Sequence, residues 1–177
     1  LYRESRSQER AKHVSEAAPA APILHVLDHG QRIALDLNQM RARIETACAN
    51  LGADVKAEPI VAETMRNLYD GVPMDEVYKA SILAARTLIE KDPAYSQVTA
   101  RILMHVIRKE ILGREVLQGD MQSEYPNYFP QFIRKGIEAE LLDPRLLEFD
   151  LSKISTALNA DRDLQFNYLG LQTLYDR

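Results

Sequence analysis

Ile23-Leu24-His25-Val26-Leu27-Asp28-His29-Gly30-Gln31-Arg32-Ile33-Ala34-Leu35 is the stretch on which the fold turns. Two β-rich runs, 23–27 and 32–35, flank a turn cluster containing Gly30, and this pattern reads as a β-hairpin. It is the only strong strand signal in the chain. From Asp36 the period becomes helical: Leu37, Met40, Ile44, Ala47, Cys48 and Leu51 share one face, and Gly52 supplies the stop. A second helix opens with Pro59, runs through Ile60, Met65 and Leu68, and ends at Tyr69-Asp70-Gly71. Pro73 and Asp75 start a third, which carries Val77, Ala80, Ala84 and Leu88 to Lys91 before Asp92-Pro93 breaks it. The fourth holds Val98, Ile102, Leu103, Val106, Ile107 and Ile111 ahead of Gly113, an apolar face wide enough for the centre of a bundle. The expectation for 23–112 is a hairpin lid over four helices, in a mainly α protein.

Upstream, residues 1–14 read as a short charged helix, and 15–22, rich in Ala and Pro, as a linker. Downstream, a looser stretch with Gly119, Pro126 and Pro130 leads to a helix expected over 132–142. A break at Pro144 and two short helices, near 151–158 and 163–174, follow. Residues 113–177 have apolar side chains of their own but no closed pattern, and read as the opening of a larger domain. Leu1 is not Met, and the last residues stay apolar and patterned, so both ends read as cuts within a longer protein.

Composition narrows the function. The 177 residues allow one domain, or a small domain with pieces of its neighbours. No apolar run approaches the roughly 20 residues of a membrane-spanning helix. With 22 Lys plus Arg against 26 Asp plus Glu, the net charge of -4 gives no overall attraction to nucleic acid. The single cysteine, Cys48, excludes an internal disulfide and a several-cysteine zinc site, and fits a reducing cytoplasmic compartment. His13, His25, His29 and His105 are scattered, and none belongs to an obvious metal or nucleophile constellation. His105 and Cys48, both on apolar helix faces, read as packed side chains. Asp161-Arg162-Asp163 reads as a helix cap with an ion pair rather than as an acid/base or metal site. No glycine-rich phosphate loop is present.

The order of the motifs says more than any one of them. A hairpin with Gly30 at its tip, an amphipathic helix, Asn67-Leu68-Tyr69-Asp70-Gly71-Val72, and Asp92-Pro93-Ala94-Tyr95 continuing to Ala100-Arg101 together resemble the ATP-cone regulatory domain over 23–112. The resemblance extends on both sides. Phe129-Pro130-Gln131-Phe132-Ile133-Arg134-Lys135-Gly136, Leu141-Leu142-Asp143-Pro144 and Asp161-Arg162-Asp163-Leu164-Gln165-Phe166-Asn167-Tyr168 look like the helical segment after the cone in the large subunit of class I ribonucleotide reductases. Leu1-Tyr2-Arg3-Glu4-Ser5-Arg6 looks like the end of an earlier cone, which makes this the second of two.

The resemblance implies a regulatory piece of an enzyme that reduces ribonucleoside diphosphates for DNA synthesis, with a small radical-generating subunit and other large-subunit copies as partners. In that family ATP in the cone keeps the enzyme active and dATP shifts it to an inactive oligomer. The radical chemistry uses cysteines of a barrel beyond these residues, so no catalytic residue is expected here. A cone-bearing transcriptional repressor is the rival of another class; it would need a four-cysteine zinc ribbon, which one cysteine cannot supply. A helical module with accidental matches is a third reading.

The departures from the family pattern concern charge. A triphosphate carries about four negative charges, so its site needs converging cations and donors. The Lys-Arg pair expected before the hairpin glycine is Leu27-Asp28, a basic residue early in the first helix is Gln39, and the acid of the second strand is Ile33. The small hydroxyl and the imidazole expected after Tyr-Asp-Gly are Met74 and Tyr78. Lys109 alone stands where a phosphate-binding lysine is expected, and His29, Arg32 and Lys79 could compensate only by swinging into the site. The expectation is a cone that has lost effector binding and acts as spacer or subunit contact; the alternative is a working ATP/dATP site.

Overall fold

Asp28-His29-Gly30-Gln31 forms the turn between β1 (His25–Asp28) and β2 (Gln31–Ala34), antiparallel strands in which His25 faces Ala34 and Asp28 faces Gln31. His29 and Gly30 both have positive φ, 48° and 79°. That is the turn whose twist matches two paired strands, and His is among the few non-glycine residues that tolerate the conformation. The computed structural model describes residues 23–177, so the charged helix expected over 1–14 and the linker over 15–22 lie outside the described residues.

A third strand corrects the expectation of a hairpin alone. β3 (Val72–Pro73) runs parallel to β1, pairing Val26 with Val72 and Leu27 with Pro73, and the sheet order is β2-β1-β3. Two residues carry no alternation to read, and a proline at a sheet edge is tolerated because it has no N–H to donate. The Tyr69-Asp70-Gly71 turn delivers the strand, with the Gly71 N–H donating to the His25 carbonyl at 2.8 Å.

Four helices lie beneath the sheet: α1 (Leu37–Cys48), α2 (Glu58–Arg66), α3 (Met74–Thr87) and α4 (Tyr95–Leu112). Asp36 caps α1, its carboxylate accepting the Gln39 N–H at 2.9 Å, and Met40, Ile44, Ala47 and Cys48 form the buried stripe. Arg101 of α4 donates to the Ala47 and Ala49 carbonyls at 3.0 and 2.7 Å, a cation on the negative end of α1. Val26, Ile60, Val72, Val77 and Val98 are essentially fully buried, each contributing about 1.5–3 kcal/mol through apolar burial. Buried Thr64 and Thr99 return their hydroxyls to the carbonyls of Ile60 and Tyr95, both at 2.7 Å, so the core carries little unsatisfied polarity. Gly113 ends α4 in the left-handed conformation (φ 68°), its N–H on the Lys109 carbonyl at 2.9 Å.

Beyond Gly113 the expected boundaries shift. α5 (Met121–Glu138) starts well before Phe132 and runs straight through Pro126 and Pro130. An interior proline costs about 3 kcal/mol, which is why the sequence reads as loose there. Packing overrides that penalty: Met121 and Ile133 are buried, and the Tyr128 hydroxyl donates to the Ile111 carbonyl of α4 at 3.1 Å. The helix stops at Glu138 rather than Leu142 because the chain doubles back on Gly136, whose carbonyl takes the Leu141 and Leu142 N–H groups. A Cβ on Gly136 would stand 2.5 Å from the Leu142 side chain, which would have to shift to admit it.

A 3-10 turn at Pro144–Glu148 and α6 (Leu151–Ala157) follow. The helix expected near 163–174 is divided into a 3-10 turn, Ala160–Gln165, and α7 (Tyr168–Tyr175), because Asn167 caps a new helix by accepting the Gly170 N–H at 2.8 Å. α7 packs back on α4: Leu171 joins the main core, Tyr168 N–H donates to the Ser96 hydroxyl at 3.2 Å, and Tyr175 donates to Glu110 at 2.9 Å. Val116, Met121 and Ala160 make a small second core beside it.

Candidate functional site

The resemblance noted in the sequence puts an effector beneath the hairpin, so the facing of β1 and β2 decides what the lid offers. Side chains alternate along a strand. Val26, fully buried, points into the bundle, and Asp28 shares its face, as does Ile33 across the ladder. Leu27 and Arg32, opposite each other, lie on the outer face with His25. The inner face of the lid therefore carries Val26, Asp28, Gln31 and Ile33, one carboxylate and no cation.

Arg32 is already engaged. Its guanidinium donates to the Asp70 carboxylate, which also accepts the His25 backbone N–H at 2.9 Å and lies 3.1 Å from the His25 ring. The backbone N–H of His25, with help from its ring and from Arg32, holds the Asp70 carboxyl below the usual carboxylate range. The role of the Tyr-Asp-Gly turn is visible here in physical terms: Asp70 ties β1 and β2 to the loop that delivers β3. His29 stands at the exposed hairpin tip, 3.9 Å from Asp28, and Lys79 lies on α3 in an outer groove with Glu110 and Tyr175. Among the described residues, no hydrogen bond or ion pair joins any two of Lys109, His29, Arg32 and Lys79.

Lys109 sits inside, on a phenol rather than a free anion site. Its Nζ lies 4.8 Å from the Tyr78 ring centre and 3.3 Å from its hydroxyl. Arg43, one helical turn after Gln39 on α1, lies 5.2 Å from the same ring centre and donates to the Tyr78 hydroxyl at 2.9 Å. The same Nη1 donates to Glu115 at 2.7 Å, and Tyr78 donates its proton to Glu115 at 2.6 Å. Burial, then this bond to Glu115, pushes the Tyr78 hydroxyl well above the ordinary tyrosine value. Burial alone would raise Glu115, but the Tyr78 bond and the charges of Arg43, His105 and Lys109 bring it below the usual glutamate value. His105, tilted against Tyr78 with ring centres 5.9 Å apart, is pushed down chiefly by burial and by the nearby Arg43, Arg108 and Lys109, with Glu115 opposing. His105 is packed, as its apolar surroundings predict, but packed into a polar cluster. Sequence reasoning missed Arg43 and Glu115: neither belongs to a recognisable motif, and the i, i+4 spacing from Gln39 is the one signal that could have found Arg43.

Asp161-Arg162-Asp163 does not form the self-contained cap and pair expected of it. Asn159 is the cap, accepting the Asp161 N–H at 2.9 Å. Asp163 reaches across to Arg108 of α4 at 2.7 Å and accepts the Tyr125 hydroxyl at 2.6 Å. Cys48 is buried and its thiol is pushed up to about 11, mainly by burial. No group of three or more His, Cys, Asp or Glu among the described residues could hold a metal ion, and no helix there is long and apolar enough to cross a membrane.

A three-stranded, hairpin-based sheet over four helices, with Asp70 tying the hairpin to the loop that delivers β3, makes this a mainly α architecture followed by a further helical segment. No family model matches the chain. Its sequence is 36% identical over 183 aligned residues to the ribonucleoside-diphosphate reductase subunit alpha of Chlamydia muridarum, covering 100% of this chain and 17% of that protein. The Chlamydia trachomatis subunit is 32% identical over 182 residues, again covering 100% of this chain and 17% of the relative. The large subunit of Danio rerio is 30% identical over 156 residues, covering 85% of this chain and 19% of the relative. The chain belongs to the family of ribonucleoside-diphosphate reductase large, or alpha, subunits. It spans about a sixth of the length of the curated relatives it matches.

Proposed function

We propose that residues 23–112 are the inner, second cone of a ribonucleoside-diphosphate reductase large subunit, that this cone no longer binds ATP or dATP, and that it serves as a spacer and subunit contact. Residues 1–14 then close an outer cone that senses the effectors, and 113–177 open the catalytic domain. The parent reduces ribonucleoside diphosphates to deoxyribonucleotides in the cytoplasm, working with a small radical-generating subunit and other large-subunit copies. Its radical chemistry lies on cysteines outside this chain, whose own thiol, Cys48, is a core group.

The observation that carries the loss of binding is the charge of the lid. Where a polyphosphate needs cations, the bundle-facing side of the hairpin presents Val26, Asp28, Gln31 and Ile33, and the hairpin's one arginine, Arg32, is held by Asp70. Each charge-assisted hydrogen bond contributes about 1.5–3 kcal/mol, so losing three cationic partners weakens binding by several powers of ten. Thermal unfolding with and without nucleotide tests this. A micromolar site would add about 2.7 kcal/mol at ligand one hundred times above its Kd, a shift of several degrees. The expected result is no shift with ATP or dATP; a shift of that size with either contradicts the proposal.

A further inference from the structure

Four side chains from three helices converge on one carboxylate at the joint after α4. Arg43 of α1 and Tyr78 of α3 both donate to Glu115 Oε1, at 2.7 and 2.6 Å. His105 of α4 places Nε2 at 3.9 Å from Oε2, and Lys109, one turn on, reaches the cluster through the Tyr78 hydroxyl at 3.3 Å. The cations are not balanced: Arg43 and Lys109 face a single carboxylate. The donors are not exhausted either. His105 Nε2 is buried with no hydrogen-bond partner, and Lys109 has no oxygen of its own beyond the phenol among the described residues. A buried polar nitrogen without a partner is a cost that a tetrahedral anion, with more oxygens than a carboxylate, could relieve.

Glu115 does not belong to a helix. It stands two residues past the Gly113 stop, beside Arg114, which pairs outward with Glu124 at 2.7 Å. Its carboxylate therefore enters the cluster from a short joint and not from a rigid element, unlike every group that contacts it. A carboxylate delivered on a joint into a preformed set of donors has the place of a ligand.

We propose that Arg43, Tyr78, His105 and Lys109 form an oxyanion site whose resident occupant is the chain's own Glu115, so that phosphate-class ligands are excluded by an internal anion. This rests on the reading that the wild-type cone binds no effector, and it deepens it: the lid lacks cations, while the floor has them and keeps them occupied. Removing the Glu115 charge leaves two formal cations and the unpaired Nε2 of His105, a donor in its Nε2–H tautomer, facing the same space. Such a site takes the phosphates of a ligand and has no feature that selects a base.

The test titrates inorganic triphosphate, and in parallel ATP, into the 177-residue chain as wild type, Glu115→Gln, and the double variant Glu115→Gln with Lys109→Met. The expected result is triphosphate binding by Glu115→Gln at least about tenfold tighter than by wild type, lost again in the double variant. ATP binding as tightly as triphosphate identifies phosphate as the recognised part. Because the variant removes a partly buried charge, anion-dependent rises in Tm are read alongside, for Glu115→Gln and for Glu115→Ser. Affinities in Glu115→Gln equal to wild type, no anion-dependent rise in either variant, or undiminished binding in the double variant would each overturn the proposal. Micromolar ATP binding by the wild type would instead remove the reading of a silent cone, an outcome seen in a separate arm.

Discussion

Replacing Asp163 by alanine is expected to loosen the join between the cone and the segment after it, by an amount that the geometry sets. Arg108 and Asp163 are 8% and 13% exposed at the side chain and 2.7 Å apart, so the pair is buried. Gln118 and Tyr125 complete it, Gln118 accepting from Arg108 and Tyr125 donating to Asp163. Removing the acid leaves a guanidinium away from water without its counter-ion, while its Nε already lacks a partner. Breaking a buried pair from one side costs about 3–5 kcal/mol. Against a stability of about 5–15 kcal/mol that is a large fraction. With a urea m-value near 2 kcal/mol/M, the midpoint falls by about 1.5–2.5 M. The assay is equilibrium urea unfolding followed by circular dichroism. Arg108→Met combined with Asp163→Leu removes both charges and is expected to recover most of the loss, because an apolar pair carries no desolvation penalty. An Asp163→Ala variant within about 1 kcal/mol of wild type would refute the reasoning.

His105 makes stability depend on pH. Its folded value lies below the ordinary 6.5, so the unfolded chain takes up the proton first as pH falls; the contribution of the neutral ring is complete above 6.5 and is lost as pH drops through the folded value. Unfolding free energy should decline on acidification from 6.5 downward, and His105→Gln should flatten that slope; equal slopes contradict it. Cys48, buried and with its thiol raised to about 11, should react with a thiol reagent at neutral pH only after urea unfolding, as followed by absorbance. Rapid modification of the folded chain would show that the α1 face is open. Asp36→Ala, which removes the α1 cap, should cost about 1 kcal/mol in the same urea assay.

The hairpin and the four helices were legible because their residues obey a strict period; only α4 stops at its expected glycine, while α1, α2 and α3 end at Cys48, Arg66 and Thr87, several residues before Gly52, Gly71 and Pro93. Of the expected stripe, Met40, Ile44, Ala47 and Cys48 are buried, while Leu37 at its start is exposed and Leu51 at its end is half-buried. What failed to show was decided at long range. β3 is two residues that pair only because Asp70 and Gly71 deliver them to β1. α5 keeps its helix across Pro126 and Pro130 while packing mainly against α6, a long-range contact that local propensity does not contain. Asp163 read as a local cap, yet its partner is 55 positions away. The candidate site divided in the same manner. Resemblance located Lys109, and charge counting exposed the poverty of the lid. Arg43 and Glu115 became visible only once α1, α3 and the Gly113 joint were in place.

Calorimetric titration of the wild-type chain with ATP and with dATP measures the central matter directly, since heat of binding reports whether a polyphosphate finds a home between the Asp28 lid and the Tyr78 floor. A flat titration with both nucleotides is the predicted result. A saturating isotherm with micromolar affinity for either one would contradict it.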